Sequence, residues 1–386
     1  MRDMRLLIEC GASQTRATLI ENERPTRLWF GPARGDEQLN PVPQPGRRFI
    51  GKVLILDKRL DAAFVEIGHE LHGFLPLRNQ TPPTEGALIC VVVKRAPRGK
   101  KGATLALSEG EADGAIIGPV SEPRDAVLQA YDALGVNAAE IIIDIGATKA
   151  LLEQAVRPGV RVTHDHGAGG LFASYHIDAA VNDAFSRNVT LPGGGSITID
   201  EAEALTAIDV DAGGTAAASG ARLNARINIE AARVAADQLC LRNIGGQIAI
   251  DFLPVSGRMR HNLNDSLKPL FPEIQHAGWT KTGLFVFSKP RAAQSLLEQA
   301  TEPAAAAPVA GRRFTDDWVA KSAITQLEER LKTAPSGKAR LVAGAAIGDY
   351  LRRRPQWENR LQERYGARFE ILAGEQMEER EFDVSE

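Results

Sequence analysis

Two aspartates, Asp209 and Asp211, occupy alternate positions in "LTAIDVDAGG", where an apolar run opens into paired glycines. Alternate residues of a strand face the same side, so both carboxylates point together if the strand persists that far. Like charges held close raise each other's pKa unless a cation neutralises them. A hard, oxygen-seeking ion such as Mg²⁺ does this with one or two carboxylates and several retained waters. A second apolar run, "QIAID", ends in Asp251, and the segment between the two runs carries a helix able to return the chain beside the first strand. With those strands as neighbours, Asp209 and Asp251 meet at one edge of a sheet, where α/β proteins assemble their sites. Acids that end strands usually face water as solvated carboxylates, so spacing alone does not carry the metal reading.

A second group of residues suits a different chemistry. "DAAFVEIGHELHGFLPL" places Phe64 and Phe74 on strands around a turn, and "KRAPRGKKGATLAL" supplies Lys94, Arg95, Arg98, Lys100 and Lys101. Exposed aromatic rings are platforms for unstacked bases, adjacent cations follow a phosphate chain, and a small barrel of the OB type is a frequent scaffold for both. Singly, each ring also suits a core and each cation a solvated turn. The pairs His69/His72 and His164/His166 lack a third ligand and read as surface histidines. "GAGG" and "PGGGS" lack the phosphate-loop order with Lys-Ser/Thr and read as turns.

The elements that must position these residues follow from periodicity. "RLLIEC" and "TRATLIEN" alternate as strands of a hairpin, and a Gly/Pro-rich loop leads to a boundary near Pro45. Phe49 to Ser108 is a series of short β-rich runs at barrel-like spacing. "PRDAVLQAYDALGV" then predicts a helix and "EIIIDI" a strand. "GGGSITIDEAEALTAIDVDAGG" predicts a strand pair, "NARINIEAARVAADQLCLRNIGG" a helix ended by glycine, and "QIAIDFLPV" a buried strand. "TEPAAAAPVAGRR" reads as a low-complexity linker, and the remainder as a small αβαβ unit closing on the strand "ARFEILAG".

At 386 residues the chain exceeds what one core usually encloses, so several domains are expected. An apolar fraction of 44%, a charged fraction of 25% and no apolar run of membrane length predict a soluble chain. The opening residues lack a secretory pattern, which makes the cytoplasm the expected location. Three widely separated cysteines suit neither a disulfide framework nor a paired-cysteine zinc site. A net charge of -3 excludes coating of nucleic acid by bulk charge but not a local basic strip.

The motifs converge on one resemblance. "GKVLILDKRLDAAFVEIGHELHGFLPL" is similar to the RNA-binding OB-fold domain of the ribonuclease E/G family, which carries related Asn-Ala-Ala-Phe-Val-Asp and Gly-Phe-Leu runs. "YHIDAAVNDAFSRNVTLPGGGSITIDEAEALTAIDVDAGG" is similar to the segment leading into its catalytic subdomain, "NIEAARVAADQLCLRNIGGQIAIDF" resembles the helix and strand that follow, and a weaker likeness runs through "ARLVAGAAIGDYL" to the end. The resemblance implies a multidomain α/β chain: a ribonuclease-H-like domain (1–35 and 109–190) interrupted by an OB-fold β-barrel (36–108), a deoxyribonuclease-I-like catalytic subdomain (191–300), an Ala/Pro linker (301–313) and a small C-terminal α/β domain (314–386). It further implies a Mg²⁺-dependent endoribonuclease acting on single-stranded RNA, with Asp209 and Asp251 as metal-holding catalytic acids, Asp211 beside them, Phe64 and Phe74 stacking bases, and Lys101 and Arg98 on the RNA face.

Four departures from the family pattern qualify that expectation. Asp211 stands where the family has Asn, adding charge that repels phosphate; Pro254 stands where Asp-Phe-Ile-Asp-Met has its second acid. The Cys-Pro-X-Cys zinc link is replaced by the Ala/Pro stretch, so zinc-linked assembly is not expected and any homo-oligomer would form without that link. The 5′-phosphate-sensing segment with its Val-Arg-Thr-Ala-Gly motif is reduced to a few residues between "LALSEGEADG" and "PRDAVLQAY", so end sensing is expected to be lost. Asp211 and Pro254 also motivate an alternative, a non-catalytic RNA-binding protein that keeps the family fold.

Overall fold

The computed structural model describes residues 4–38, 43–78, 81–97, 101–110, 112, 114–120, 124–165, 167, 169–213, 220–257, 260–261, 263, 265, 269–270, 274–291, 293–304, 311–334 and 336–386. The chain folds as two compact units. One comprises Met1–Arg34, Ala126–Pro290 and Ser295–Glu386; the other comprises Gly35–Asp125 with Arg291–Gln294.

The larger unit opens with an antiparallel meander of β1 (Met4–Cys10), β2 (Gln14–Glu21) and β3 (Arg24–Pro32). Asn22 and Glu23 both take positive φ, the backbone a two-residue hairpin turn between β2 and β3 requires. β3 was not apparent from the sequence pattern, because it follows that turn without any glycine or proline between the strands.

The smaller unit follows as β4 (Arg48–Asp57), β5 (Ala62–Glu66), β6 (Gly73–Pro76), β7 (Leu88–Arg95), β8 (Thr104–Leu107) and the short β9 (Gly118–Pro119). Pairing of β4 with both β5 and β7 closes β4-β5-β6-β8-β7 into a five-stranded barrel, the arrangement of an OB-type fold. Phe49, Val53, Ala63, Val65, Leu75, Val91, Val93 and Leu105 alternate inward and fill it. At Gly102 the chain approaches so closely that an added Cβ would lie 1.7 Å from the His72 carbonyl oxygen, so no other residue fits there.

Back in the larger unit, α1 (Ala126–Leu134) leads to β10 (Glu140–Ile143), which pairs parallel with β1; α2 (Lys149–Ala155) leads to β11 (Arg161–His164) beside β10. The sheet is apolar on both faces. Leu6, Ile8, Leu19, Ile141 and Ile143 pack with Val127, Tyr131 and Leu152 on one side, while Leu7, Ile20 and Ile142 pack with Phe172 and Ile177 on the other. The latter two belong to α3 (Leu171–Ser174) and α4 (Ile177–Asp183).

A second sheet runs β12-β13-β14-β15-β17-β16, built from β12 (Asn188–Thr190), β13 (Ser196–Glu201), β14 (Thr206–Asp211), β15 (Gly246–Asp251), β16 (Gln275–Trp279) and β17 (Phe285–Lys289). The long helix α5 (Ala221–Leu241) joins β14 to β15, and Ile227, Ala231, Ala235 and Leu239 pack against one face of the sheet.

After α6 (Leu296–Ala300), the two ends of the Ala/Pro-rich stretch pair as β18 (Thr301–Pro303) and β19 (Arg312–Phe314), while residues 305–310 lie outside the described set. The C-terminal segment contains α7 (Asp316–Thr333), β20 (Ala339–Ala343), α8 (Ala345–Arg352), α9 (Pro355–Tyr365), β21 (Phe369–Ala373) and β22 (Phe382–Ser385). Two details correct the αβαβ reading. Pro355 starts a new helix instead of continuing the old one, as a residue without an N–H does. "FDVS" adds a final antiparallel strand beside β20, so "ARFEILAG" is not the last. Among the described residues no helix is long and apolar enough to cross a membrane.

A buried ion cluster ties the C-terminal segment to β1 and β2. Arg16 donates to Glu9 at 2.7 Å, to Asp178 at 3.0 Å and to Glu329 at 3.0 Å, while Lys332 Nζ lies 3.7 Å from Glu9 and 3.9 Å from Asp144. Glu328 accepts from the Ala12 amide at 2.7 Å, and Arg364 bridges Glu328 and the Cys10 carbonyl. Burial alone would raise the Glu9 carboxyl, yet Arg16 and Lys332 hold it down to about 2. Burial, reinforced by Glu9, pushes Asp144 up to about 6.

The two acids act on stability with opposite sign. Glu9, depressed when folded, contributes stability above its ordinary carboxylate range and loses it as pH falls toward 2. Asp144, raised when folded, contributes below its ordinary range, and that contribution is lost as pH rises through about 6. Asp144→Asn keeps the side chain polar but removes this titration. The thermal midpoint of the native protein should therefore fall relative to that of Asp144→Asn between pH 4 and pH 7, by an amount corresponding to about 1–3 kcal/mol. Parallel pH profiles for the two proteins would contradict the assignment.

Candidate active site

Alternation along β14 sorts its residues cleanly. Thr206, Ile208 and Val210 are buried, and Ala207, Asp209 and Asp211 are exposed. β15 does the same, with Ile248 and Ile250 inside and Asp251 exposed. The strands pair in parallel with Asp209 directly opposite Asp251. Neighbouring strands run about 4.8 Å apart and in-register partners share a face, so both carboxylates leave the sheet side by side on the face opposite α5.

Their surroundings are small and mostly uncharged. Thr198 on β13 is the register partner of Asp209 on its other side, and its hydroxyl donates to Asn188 Oδ1 at 2.9 Å. Ala207 and Ala249 form a neighbouring rung on the same face. Arg187 on this side of the sheet is engaged with Asp200, at 2.5 and 2.7 Å.

Asp211 shares the open face but sits further along β14, opposite Ser196 and beyond the end of β15. Its Oδ1 accepts from the Gly213 amide at 2.9 Å, so part of its charge is turned onto its own loop. "PGGGS" forms the turn before β13, as its composition suggests. There Gly195 has φ +89° and an added Cβ would lie 2.4 Å from the Asp211 carbonyl oxygen.

The chain leaving β15 is held by residues that motif reading passed over. Asn228 is fully buried on α5. Its Nδ2 donates to the Leu253 carbonyl at 2.9 Å and its Oδ1 accepts from the Leu253 amide at 3.0 Å. Asn224 donates to the Pro254 carbonyl at 3.0 Å. The available signal was a polar residue in an otherwise apolar helical stripe.

On the barrel, Phe64 and Phe74 are register partners on β5 and β6, with ring centroids 5.9 Å apart and planes at 69°. They are half-buried on the outward side, away from the interior cluster. Thr104 on β8 is the register partner of Phe74, and exposed Lys101 lies three residues before it. Arg98 lies outside the described residues, as do Lys100 and His166. His69 accepts from the Leu71 amide at 3.3 Å, and His164 Nε2 is 3.1 Å from the Asp144 carbonyl oxygen. Among the described residues no group of three His, Cys, Asp or Glu side chains converges as metal ligands.

Fold and site together define a mixed α/β protein that carries an OB-type barrel and a sheet edged by paired carboxylates. Residues 120–291, which include all three aspartates, match the sequence model of the Ribonuclease E/G family. The likeness to that family covers a little under half of the chain. The chain is 25% identical over 445 residues to Ribonuclease E of Haemophilus influenzae, covering 86% of this chain and 47% of that protein. Ribonuclease E of Escherichia coli is 28% identical over 281 residues, 69% of this chain and 26% of that one. Ribonuclease G of Salmonella typhimurium is 31% identical over 144 residues, 35% of this chain and 29% of that one. The chain thus spans half or less of the length of these relatives.

The turn beneath the site gives a direct test of its geometry. Gly195→Ala forces a Cβ into backbone at positive φ and should cost about 1–3 kcal/mol, whereas Gly278→Ala on β16, where an added Cβ meets nothing within 4 Å, should be near neutral. Equal thermal midpoints for the two variants would refute the close approach of this turn to β14.

Proposed function

We propose that the chain is a Mg²⁺-dependent endoribonuclease that cuts single-stranded RNA internally. The observation that carries this reading is the in-register pairing of Asp209 and Asp251 on an open sheet face. Two adjacent carboxylates open to solvent suit a hard divalent ion that keeps several waters. Asp209 and Asp251 would hold it, and when bound it would supply an activated water and charge neutralisation at phosphorus.

The chain's own groups do the rest. The small residues around the acid pair leave room for a phosphodiester, and the Gly213 amide draws part of the Asp211 charge away from it. On the barrel, the outward rings of Phe64 and Phe74 offer stacking surfaces for unstacked bases, with Lys101, and Arg98 by motif, as cations for the phosphate chain. In this reading residues 1–35 and 109–190 form a ribonuclease-H-like domain, 36–108 the RNA-binding barrel, 191–300 a deoxyribonuclease-I-like catalytic subdomain, 301–313 a connector and 314–386 a small C-terminal domain. The protein acts in the cytoplasm, in RNA processing or decay, and any homo-oligomer forms without a zinc link. The short segment between the barrel and α1 supports cleavage without a 5′-monophosphate preference.

An A/U-rich single-stranded RNA incubated with the protein and Mg²⁺ should be cut internally, and Asp209→Asn or Asp251→Asn should lower kcat by about 100-fold or more, the scale on which removing a transition-state electrostatic group acts. RNA that is bound in a salt-sensitive manner but left intact would favour the non-catalytic alternative. Substrates with 5′-hydroxyl and 5′-monophosphate ends should be cut at equal rates. A large monophosphate advantage would overturn the loss of end sensing. Phe74→Ala and Lys101→Ala should weaken RNA binding, the latter with a shallower salt dependence.

A further inference from the structure

The ladder that fixes Asp251 is one-sided. β15 pairs with β14 as far as Asp209 opposite Asp251, but its pairing with β17 stops at Ile250 opposite Phe285. Asp251 therefore lies one residue past the last rung on that side, and the described chain immediately beyond it belongs to no strand. Without another restraint this end would fray, as unsupported element ends do.

Asn228 supplies the restraint. It shares a helical face with Ala231, Ala232 and Ala235, all buried, where an asparagine is both a poor helix former and costly to desolvate unless its amide is satisfied. Its amide is satisfied by Leu253, pairing with both the N–H and the C=O of that residue as a strand neighbour would. One helical turn earlier, Asn224 takes the Pro254 carbonyl. Phe252 is buried between Asp251 and these contacts, packed against Trp279 and Phe285. Helix α5 thus replaces the missing rung.

We infer that Asn228, assisted by Asn224, is a positioning residue that holds the Asp251 carboxylate in register with Asp209. The inference rests on the proposed role of those two acids in holding a divalent cation. Asn228 touches neither RNA nor the ion; it acts through the backbone two residues beyond Asp251. Outer partners of this kind typically change metal affinity by about 10- to 100-fold.

The test uses the full chain and Mn²⁺ as probe, titrated calorimetrically, alongside the Mg²⁺ dependence of RNA cleavage and the thermal midpoint. The native protein should bind Mn²⁺ and Asp251→Asn should not. Asn228→Ala should bind Mn²⁺ about 10-fold more weakly and need correspondingly more Mg²⁺ for half-maximal cleavage, with RNA affinity unchanged. A merely structural asparagine would lower the thermal midpoint and leave both metal midpoints where they were, and that result overturns the inference. Should Asn228→Ala fail to fold, Asn224→Ala decides: a weaker Mn²⁺ midpoint supports the clamp, and a native one rejects it. Mn²⁺ binding that is absent from the native protein, or unaffected by Asp251→Asn, overturns the metal reading itself and the positioning role with it.

Discussion

The parallel register between β14 and β15 is the constraint on which the site depends. Shifting β15 by one residue would send Asp251 to the helix side of the sheet and bring Ile248 and Ile250 out to water. The apolar residues beneath the sheet therefore specify where the acids stand above it. Ile208, Val210, Ile248, Ile250 and Phe285 share one core with α5, and the connection β14-α5-β15 is what makes a parallel pairing of these strands possible.

Much of this was legible because it is local. The apolar runs "LTAIDV" and "QIAID" mark two strands and the amphipathic run between them marks α5, whereas the half-burial of both strands shows only in the folded sheet. The register was a conditional expectation, since a sequence shows which residues could face one another but not the offset at which they pair. The barrel strands were legible for the same reason, whereas the outward placement of Phe64 and Phe74 depends on closure of the barrel, which no single strand encodes. The least visible feature is the grip on the β1–β2 turn, where Glu328, Arg360 and Arg364 reach Cys10 and Ala12 across more than 300 residues. Glu328 and Arg364 sit in charge-rich helices, and only tertiary packing shows them turned inward.

Carboxylates stand in opposite settings in two of the larger unit's sheets. Glu9 and Asp144 stand on β1 and just past the end of β10, themselves parallel neighbours, but they are buried and held by Arg16, Lys332 and Arg364. Buried charges need such partners, since removing one leaves an uncompensated ion in low dielectric. This arrangement is closed: its cations come from the chain and lock the C-terminal segment onto the first sheet. Asp209 and Asp251 instead stand exposed to water on the open face of their sheet, where the high dielectric weakens any interaction between neighbouring groups.

The departures at Asp211 and Pro254 bear on the same balance of charge. An additional carboxylate on the open face adds repulsion to any approaching phosphate, but its hydrogen bond to Gly213 and its place beyond the end of β15 set it apart from the pair. At position 254 a proline cannot donate a backbone hydrogen bond, so the only main-chain group able to hold the chain at that residue is its carbonyl, and Asn224 takes it. Support that an acidic side chain at this position could have offered comes instead from a helix on the other face of the sheet. Because that support acts on backbone, it fixes the direction in which the chain leaves β15 without adding charge beside the two acids, which keeps the number of carboxylates at the rung itself to two.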